Sequence, residues 1–271
     1  AVSALSSETL QNRQAYNLEN IGAQVPNLLS TKSSGSPTNL RVFMRGLGQS
    51  ESTMPTAESA VGIYVDDAYM ARMNGANLRL LDIERIEVLR GPQGTLYGRN
   101  TISGALKIVT RQPDEEARIN ASLGVGTYTT EAKLGGSTPF ANNQWAIGGA
   151  LVVAGEDGFT DRYSALNTPT NAESGDRDYS GAQIDLRYMG SETFEAAFSF
   201  TYTKDKSDAL YATPLSPTGV PLTGGDLYTT LTSRDQFADN DAIGGSVTLT
   251  WHLGDFDIKS ITGYRDIQNE S

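Results

Sequence analysis

The sequence has no cysteine and only one histidine, His252. That removes disulfide frameworks, thiolate metal sites and Cys/His nucleophilic chemistry from consideration. No stretch approaches the ~18 consecutive apolar residues that a membrane-spanning helix needs. The longest apolar run, Ala146 to Gly155, is short and rich in glycine. Basic clusters are also missing. With a net charge of -11 and no clustered Lys and Arg to neutralise phosphates, no nucleic-acid partner is expected. It lacks a Gly-x-Ser-x-Gly elbow and any grouped metal-ligand set, so no enzymatic activity, cofactor or metal is expected. Ala1 is followed by neither the basic segment nor the apolar core of an export signal, which is expected to lie upstream or to have been removed.

What is present divides in two. Residues 1–117 carry 11 basic and 12 acidic side chains, whereas 118–271 carry 10 and 20, and this contrast supports a boundary near Arg118. The first part mixes helix and strand signals. Ser6-Ser7-Glu8-Thr9 reads as a helix start. A second helix opens at Asn17, with Leu18, Ile21 and Val25 on one face and Pro26 as its stop. Leu40, Val42 and Met44 share a face at period two, as do Val61, Ile63 and Val65. Further strands are predicted over Arg85 to Leu89 and Leu106 to Thr110, separated by the Gly91-Pro92 turn and the glycine-rich stretch to Gly104. A small α+β domain with a mixed sheet is the result.

From Arg118 onward apolar and polar residues alternate. Ile119, Ala121, Leu123 and Val125 oppose Arg118, Asn120, Ser122 and Gly124. Phe194, Ala196, Phe198, Phe200 and Tyr202 oppose Glu195, Ala197, Ser199, Thr201 and Thr203. Seven strands are predicted, at about 117–125, 128–137, 144–155, 178–189, 193–204, 241–253 and 255–266, most near the 9 to 11 residues that cross a bilayer obliquely. Short turns follow the second, fourth and sixth, and long polar loops follow the third and fifth. That asymmetry fits an antiparallel transmembrane β-barrel, although a soluble sandwich or adhesive β-domain would alternate in the same way. Seven strands cannot close a wide barrel, so the barrel is expected to be incomplete here.

The run Asp82-Ile83-Glu84-Arg85-Ile86-Glu87-Val88-Leu89-Arg90-Gly91-Pro92-Gln93-Gly94-Thr95-Leu96-Tyr97-Gly98-Arg99-Asn100, continuing in the same style to Pro113, resembles the plug of TonB-dependent outer-membrane receptors. Val42-Phe43-Met44-Arg45-Gly46-Leu47-Gly48 and Val61-Gly62-Ile63-Tyr64-Val65-Asp66-Asp67 match further motifs of the family in order and spacing. The sequence departs from the family at Asp67, where glycine is commoner, and at Phe43-Met44, where β-branched residues are usual. The resemblance implies a plug over 1–117 and, over 118–271, the first seven strands of a barrel of about 22. It also implies the outer membrane as location and energised uptake of a scarce nutrient, most readily a ferric siderophore or other iron chelate. Oligosaccharide, cobalamin or another large nutrient would be carried the same way, and a passive porin-like barrel is the competing class. The implied partners are outer-membrane lipid, the transported small molecule or metal chelate, and TonB with its inner-membrane complex. TonB would act through a segment expected before Ala1.

Candidate ligand contacts follow from this layout. In related receptors the plug's apical loops touch ligand, which points to Gln49, Ser50, Glu51, Met54, Tyr69, Arg72 and Asn74. Phe159, Tyr163 and Tyr211 in the long loops offer aromatic surface for flat ligands or sugars. Both loops are acidic, which tilts the ligand toward neutral or cationic species. Arg45-Gly46 and Arg90-Gly91-Pro92 read first as turns. Glu84, Arg85, Glu87 and Arg90 are expected to pair with inward-facing barrel charges such as Glu131, Lys133, Asp185, Arg187 and Glu195. His252 is expected on the polar face.

Overall fold

The computed structural model describes residues 2–15, 17–33, 36–51, 54, 58–73, 76–77, 79, 81–163, 169–208, 222, 228–231 and 237–270. The N-terminal unit begins with β1 (Val2–Ser6) and α1 (Ser7–Asn12), whose N-cap Ser6 accepts from Thr9 N–H. The expected second helix is a 3-10 helix, Leu18–Gln24, with Leu18, Ile21 and Val25 buried. Seven residues ended by an extended Val25 before Pro26 leave little room for a longer α-helix.

Strands β2 (Leu28–Ser33), β3 (Ser36–Met44) and β4 (Leu47–Gly48) form one small sheet. A second sheet contains β5 (Val61–Val65), β6 (Ala68–Met70), β7 (Ile83–Arg90) and β8 (Gly104–Thr110), in the order β1-β7-β8-β5-β6. It is mixed, because β5 pairs parallel to β8 while its other pairs are antiparallel. The core between these layers is Leu18, Ile21, Leu40, Val42, Met44, Val61, Ile63, Ile86, Val88, Leu106 and Ile108, all at most 2% exposed. Leu40, Val42 and Met44, with Val61 and Ile63, are on the period-two faces expected from the sequence. The turn helix α2 (Gly94–Tyr97) joins β7 to β8.

The rest of the chain builds a seven-stranded antiparallel sheet. Its strands are β9 (Arg118–Val125), β10 (Thr129–Phe140), β11 (Trp145–Glu156), β14 (Arg177–Tyr188), β15 (Phe194–Ser207), β17 (Asp239–Leu253) and β18 (Phe256–Glu270). Each expected strand is present, several of them longer by a few residues. The long connections are not plain loops. They contribute β12 (Thr160–Tyr163), β13 (Pro169–Ser174) and β16 (Thr229–Leu231), and β12 pairs with both of the others. Their polar composition hid them.

The two faces of the long sheet differ in a way that decides between barrel wall and sandwich. One face presents Ile119 (81% exposed), Leu123, Leu151, Val153, Ile184 and Phe200, and these rows stay exposed. In a sandwich the same rows would meet a second sheet in a dry interior. Along the rim with the short turns that face carries a chain of aromatic contacts. Phe140, Trp145, Tyr188, Phe194 and Trp251 follow one another with ring centroids 4.9 to 6.4 Å apart. An apolar band bordered by aromatic rings is what a lipid interface selects. The opposite face is small and polar, and the N-terminal unit lies against it.

Ile184, near the middle of β14 on the apolar face, provides a test. Ile184→Arg should destabilise the protein in lipid vesicles by about 2–4 kcal/mol, the cost of a cation on the lipid side of a barrel near the midplane. Denaturant titration of the vesicle-inserted protein would measure it. A change of a few tenths would mean that the surface faces water.

Candidate functional site

The N-terminal unit meets the wall at two seats. At the rim with the long loops, Arg79 is 5% exposed and donates through Nη1 to Glu131 of β10 at 2.8 Å. Its Nη2 pairs with Glu156, the last residue of β11. The guanidinium lies 5.7 Å from the ring centre of Tyr179 on β14. Arg177 sits 6.0 Å from the same ring and donates through Nε to Asp205 of β15 at 3.0 Å. Tyr179 therefore lies against two arginines, one from each part, and each arginine is neutralised by acids at hydrogen-bond distance. Leu81 completes the seat by packing on Val152, Ala154 and Tyr179.

The second seat is the hairpin between β5 and β6. Asp66 and Asp67 form its two-residue turn, both with positive φ, 48° and 67°. A turn of this hand matches the twist of the strands and favours glycine at its second position. Arg45 and Gly46, at 53° and 83°, make the equivalent turn between β3 and β4 with that glycine in place. Asp67 instead projects a carboxylate, which accepts from Lys107 of β8 at 2.5 Å and from Lys259 of β18 at 2.9 Å. Burial pushes the Asp67 carboxyl up, but the two lysines outweigh it and hold it below the ordinary carboxylate range. Burial likewise opposes the charge on Lys107, and Asp67 outweighs it and raises the ammonium pKa. Asp66 turns inward, accepting from Thr110 N–H at 2.8 Å and Thr110 Oγ1 at 2.7 Å, while burial dominates and raises its pKa. Between hairpin and wall is a cleft of about 70 Å³, lined on the wall side by Ser199, Thr201, Ser246 and Arg265 among others.

The expected plug-wall pairing has to be corrected in its members. Arg85 donates to Glu87 at 2.7 Å and pairs with Glu84, both on its own strand. Arg90 donates to Ser3 at 3.2 Å. Positions i and i+2 share one face of a strand, so Arg85 and Glu87 neutralise each other locally. On the wall Lys133 reaches Glu131 at 3.0 Å, Arg187 reaches Glu195 at 2.9 Å, and Asp185 accepts from Gln183. Of the wall charges anticipated, Glu131 bonds the N-terminal unit through its side chain, with Arg79 as the partner. Arg187 contributes a long contact to the Pro113 carbonyl at 3.5 Å. Gly91 has φ 107°, and the Arg45 guanidinium covers it at 3.3 Å from where a Cβ would stand, a packing role for that motif. His252 lies on the inner face, with Nδ1 2.8 Å from Asp257.

The anticipated ligand contacts are spread over several places. Gln49 is buried and donates to the Glu51 carbonyl at 2.7 Å, whereas Ser50, Met54 and Arg72 are exposed. Tyr69 belongs to a tyrosine cluster. Its ring is 5.4 Å from Tyr64, which is 5.0 Å from Tyr97, and Asn100 donates to the Tyr69 hydroxyl at 2.8 Å. Tyr64 donates to the Tyr97 carbonyl at 2.7 Å, and burial first, then the neighbouring tyrosines, push its pKa up to about 12. Phe159 contacts Tyr128 and Tyr228, with centroids 5.7 and 6.1 Å apart, an exposed aromatic group above the rim. Tyr163 lies on β12. Asn74 and Tyr211 fall outside the described residues.

Comparison with known proteins decides what this arrangement is. Residues 1–105 match the TonB-dependent Receptor Plug Domain family. This segment is a receptor plug. The chain is also 27% identical over 249 residues to the vitamin B12 transporter BtuB of Vibrio vulnificus, covering 89% of this chain and 39% of that protein. It is 33% identical over 111 residues to the pesticin receptor of Yersinia enterocolitica, 40% of this chain and 16% of that one. The crystal structure of the ferric yersiniabactin uptake receptor FyuA from Yersinia pestis superposes with a TM-score of 0.81 at 20% identity, covering 99% of this chain and 41% of that one. The chain therefore spans less than half the length of these relatives, and its fold is that of a receptor plug followed by barrel strands. Its place is the bacterial outer membrane.

Two measurements follow from the plug's seats. Arg79→Met leaves Glu131 and Glu156 facing each other without their shared cation. It should cost about 3–5 kcal/mol, the usual penalty for breaking a buried pair, read by urea unfolding of the plug monitored through hydrogen exchange. Tyr64 is held neutral, so its contribution is complete below the ordinary tyrosine pKa and fades as pH rises through about 12. Phenolate absorbance should show a tyrosine titrating near pH 12 that Tyr64→Phe removes.

Proposed function

We propose that this chain is the plug and first wall of a receptor that takes up a scarce nutrient across the outer membrane, energised through TonB and the proton gradient. The observation that carries the reading is the seating of the plug on the polar inner face of the wall by Arg79 and Asp67. A passive pore gains nothing from a folded stopper held by buried charge. Residues 1–117 act as plug and 118–271 as wall in this reading. An iron chelate is the favoured cargo, since FyuA is a ferric yersiniabactin uptake receptor and related structures include siderophore receptors such as PiuA from Acinetobacter baumannii. Cobalamin stands second, because the relative that matches over 89% of this chain is a vitamin B12 transporter.

Ligand contact is assigned in this proposal to Gln49, Ser50, Glu51, Met54, Tyr69, Arg72 and Asn74 of the plug and to Phe159, Tyr163 and Tyr211 of the outer loops. The exposed rings of Phe159, Tyr128 and Tyr228 offer a surface on which flat catecholate or corrin faces can stack. Uptake of radiolabelled ferric chelates and cobalamin by cells carrying the full receptor should stop when a protonophore is added. Transport that continues undiminished would overturn the energised mechanism. Phe159→Ala should raise the Kd of the transported species about tenfold, measured by equilibrium binding to outer membranes, while leaving the protonophore response intact.

A further inference from the structure

Three arginines act electrostatically on the buried Tyr179 hydroxyl, and they are not equally provided for. Arg79 has Glu131 and Glu156, and Arg177 has Asp205. Arg265 of β18 has no carboxylate bonded to it among the described residues, and the side chain that acts on it electrostatically is Tyr179, a phenol. The Tyr179 hydroxyl in turn has no hydrogen-bond partner among those residues. A guanidinium withdrawn from water without an anion is costly, because nothing replaces the hydration it has lost. Arg265 is also held in place. Its guanidinium extends across β17 over Gly244, where a Cβ would stand 3.1 Å from Arg265 Nη2 and 2.8 Å from Thr201 Oγ1. Both side chains line the cleft beside the β5–β6 hairpin, together with Ser199 and Ser246 of the wall and Tyr69 and Thr110 of the plug.

We propose that this cleft is an oxyanion site, with Arg265 as its cation and the hydroxyls of Ser199, Thr201 and Ser246 as supporting donors. A planar guanidinium presents paired N–H groups that match two oxygens of one ion, and hydroxyls complete the set. The acids beside the cleft are already engaged. Asp66 accepts twice from Thr110, and Asp185, opposite Ser199 in the strand register, accepts from Gln183. The ligand is a small oxyanion of the phosphate or carboxylate kind, either a free ion or an anionic group carried on the nutrient. A cleft of about 70 Å³ holds about five waters. That is room for one phosphate-sized group with some water, and too little for a whole chelate. Counting charges along 118–271 hides this positive spot, since 20 acids face 10 bases there. The site does not depend on how uptake is driven.

The experiment is equilibrium dialysis of the full-length protein in detergent micelles against radiolabelled inorganic phosphate, which should show one saturable site. Arg265→Gln should weaken binding about tenfold or more, the loss of a charge-assisted pair. Arg265→Lys keeps the charge and loses the fork, so its affinity should fall between the two. Thr201→Val should weaken binding about threefold. Lys206→Gln removes an exposed cation of the same wall and should change nothing. Stability gives a second reading. Phosphate should raise the thermal midpoint of the unaltered protein and leave that of Arg265→Gln where it is, with heat-modified gel mobility showing that each variant folds its barrel. Selenate soaked into crystals should give an anomalous peak against the Arg265 guanidinium. Ferric chelate or cobalamin that displaces the phosphate assigns the oxyanion to the nutrient, and phosphate retained at saturating nutrient assigns it to a free ion; either upholds the site. Binding that does not saturate, that is as tight in Arg265→Gln, or that falls equally in Lys206→Gln overturns the proposal, as does a selenate peak away from Arg265.

Discussion

Inside a lipid bilayer no water is present to satisfy a backbone N–H or carbonyl, so a spanning chain must close its hydrogen bonds within itself. In the wall of this protein they are closed between strands, each of β9, β10, β11, β14, β15, β17 and β18 paired along most of its length with its neighbours. Strand geometry then sends alternate side chains to opposite faces. One face must suit oil, and the other cannot be oily without collapsing. A polar inner face is the consequence, and it must be met by water or by a folded domain of matching polarity.

The plug fits that inner face partly through side chains that are absent. Gly148 leaves room for Pro113, whose ring would stand 3.0 Å from a Cβ, and Gly263 leaves room for Ala68. Gly181 lies beneath the Tyr179 ring, which is thereby free to face Arg79 and Arg177. Glycine within a strand weakens it slightly. Here it sets how near the plug backbone can come to the wall. The long loops bear on the same contact, because Glu156 pairs with Arg79 and ends the strand from which the first long loop departs. Whatever moves that loop base acts on a buried cation of the plug.

Much of this was legible in the sequence because period two is a strong signal over twelve-residue strands, and glycine-bounded motifs fix the plug strands within a residue or two. The aromatic row Phe140, Trp145, Tyr188, Phe194 and Trp251 was present as letters, yet its continuity exists only across strands. Arg79 was not singled out because it stands in no motif and its partners lie 52 and 77 residues away. Asp67 was visible as a departure from glycine, but a positive φ and a lysine 192 residues distant are what give it meaning. The strands β12, β13 and β16 were missed because they are short, polar in sequence and paired only through β12 across two separate loops. The 3-10 helix was expected as a helix from its apolar spacing, and its brevity before Pro26 decided the tighter form.

The charged residues of the plug sort into two groups by where their partners sit, and the division has mechanical meaning. Arg85 with Glu84 and Glu87, and Asp66 with Thr110, are satisfied within the plug. Moving the plug past the wall leaves those pairs intact, so they add nothing to the resistance. Arg79 with Glu131 and Glu156, and Asp67 with Lys259, are divided between plug and wall. Displacement must break them, and the buried arginine costs far more to strand than the half-exposed aspartate. The strong cross-pair therefore lies by the outer loops, and the weaker one lies at the sheet edge opposite β1. A plug arranged this way can loosen in steps, because the interactions that keep it folded are largely separate from those that keep it in place.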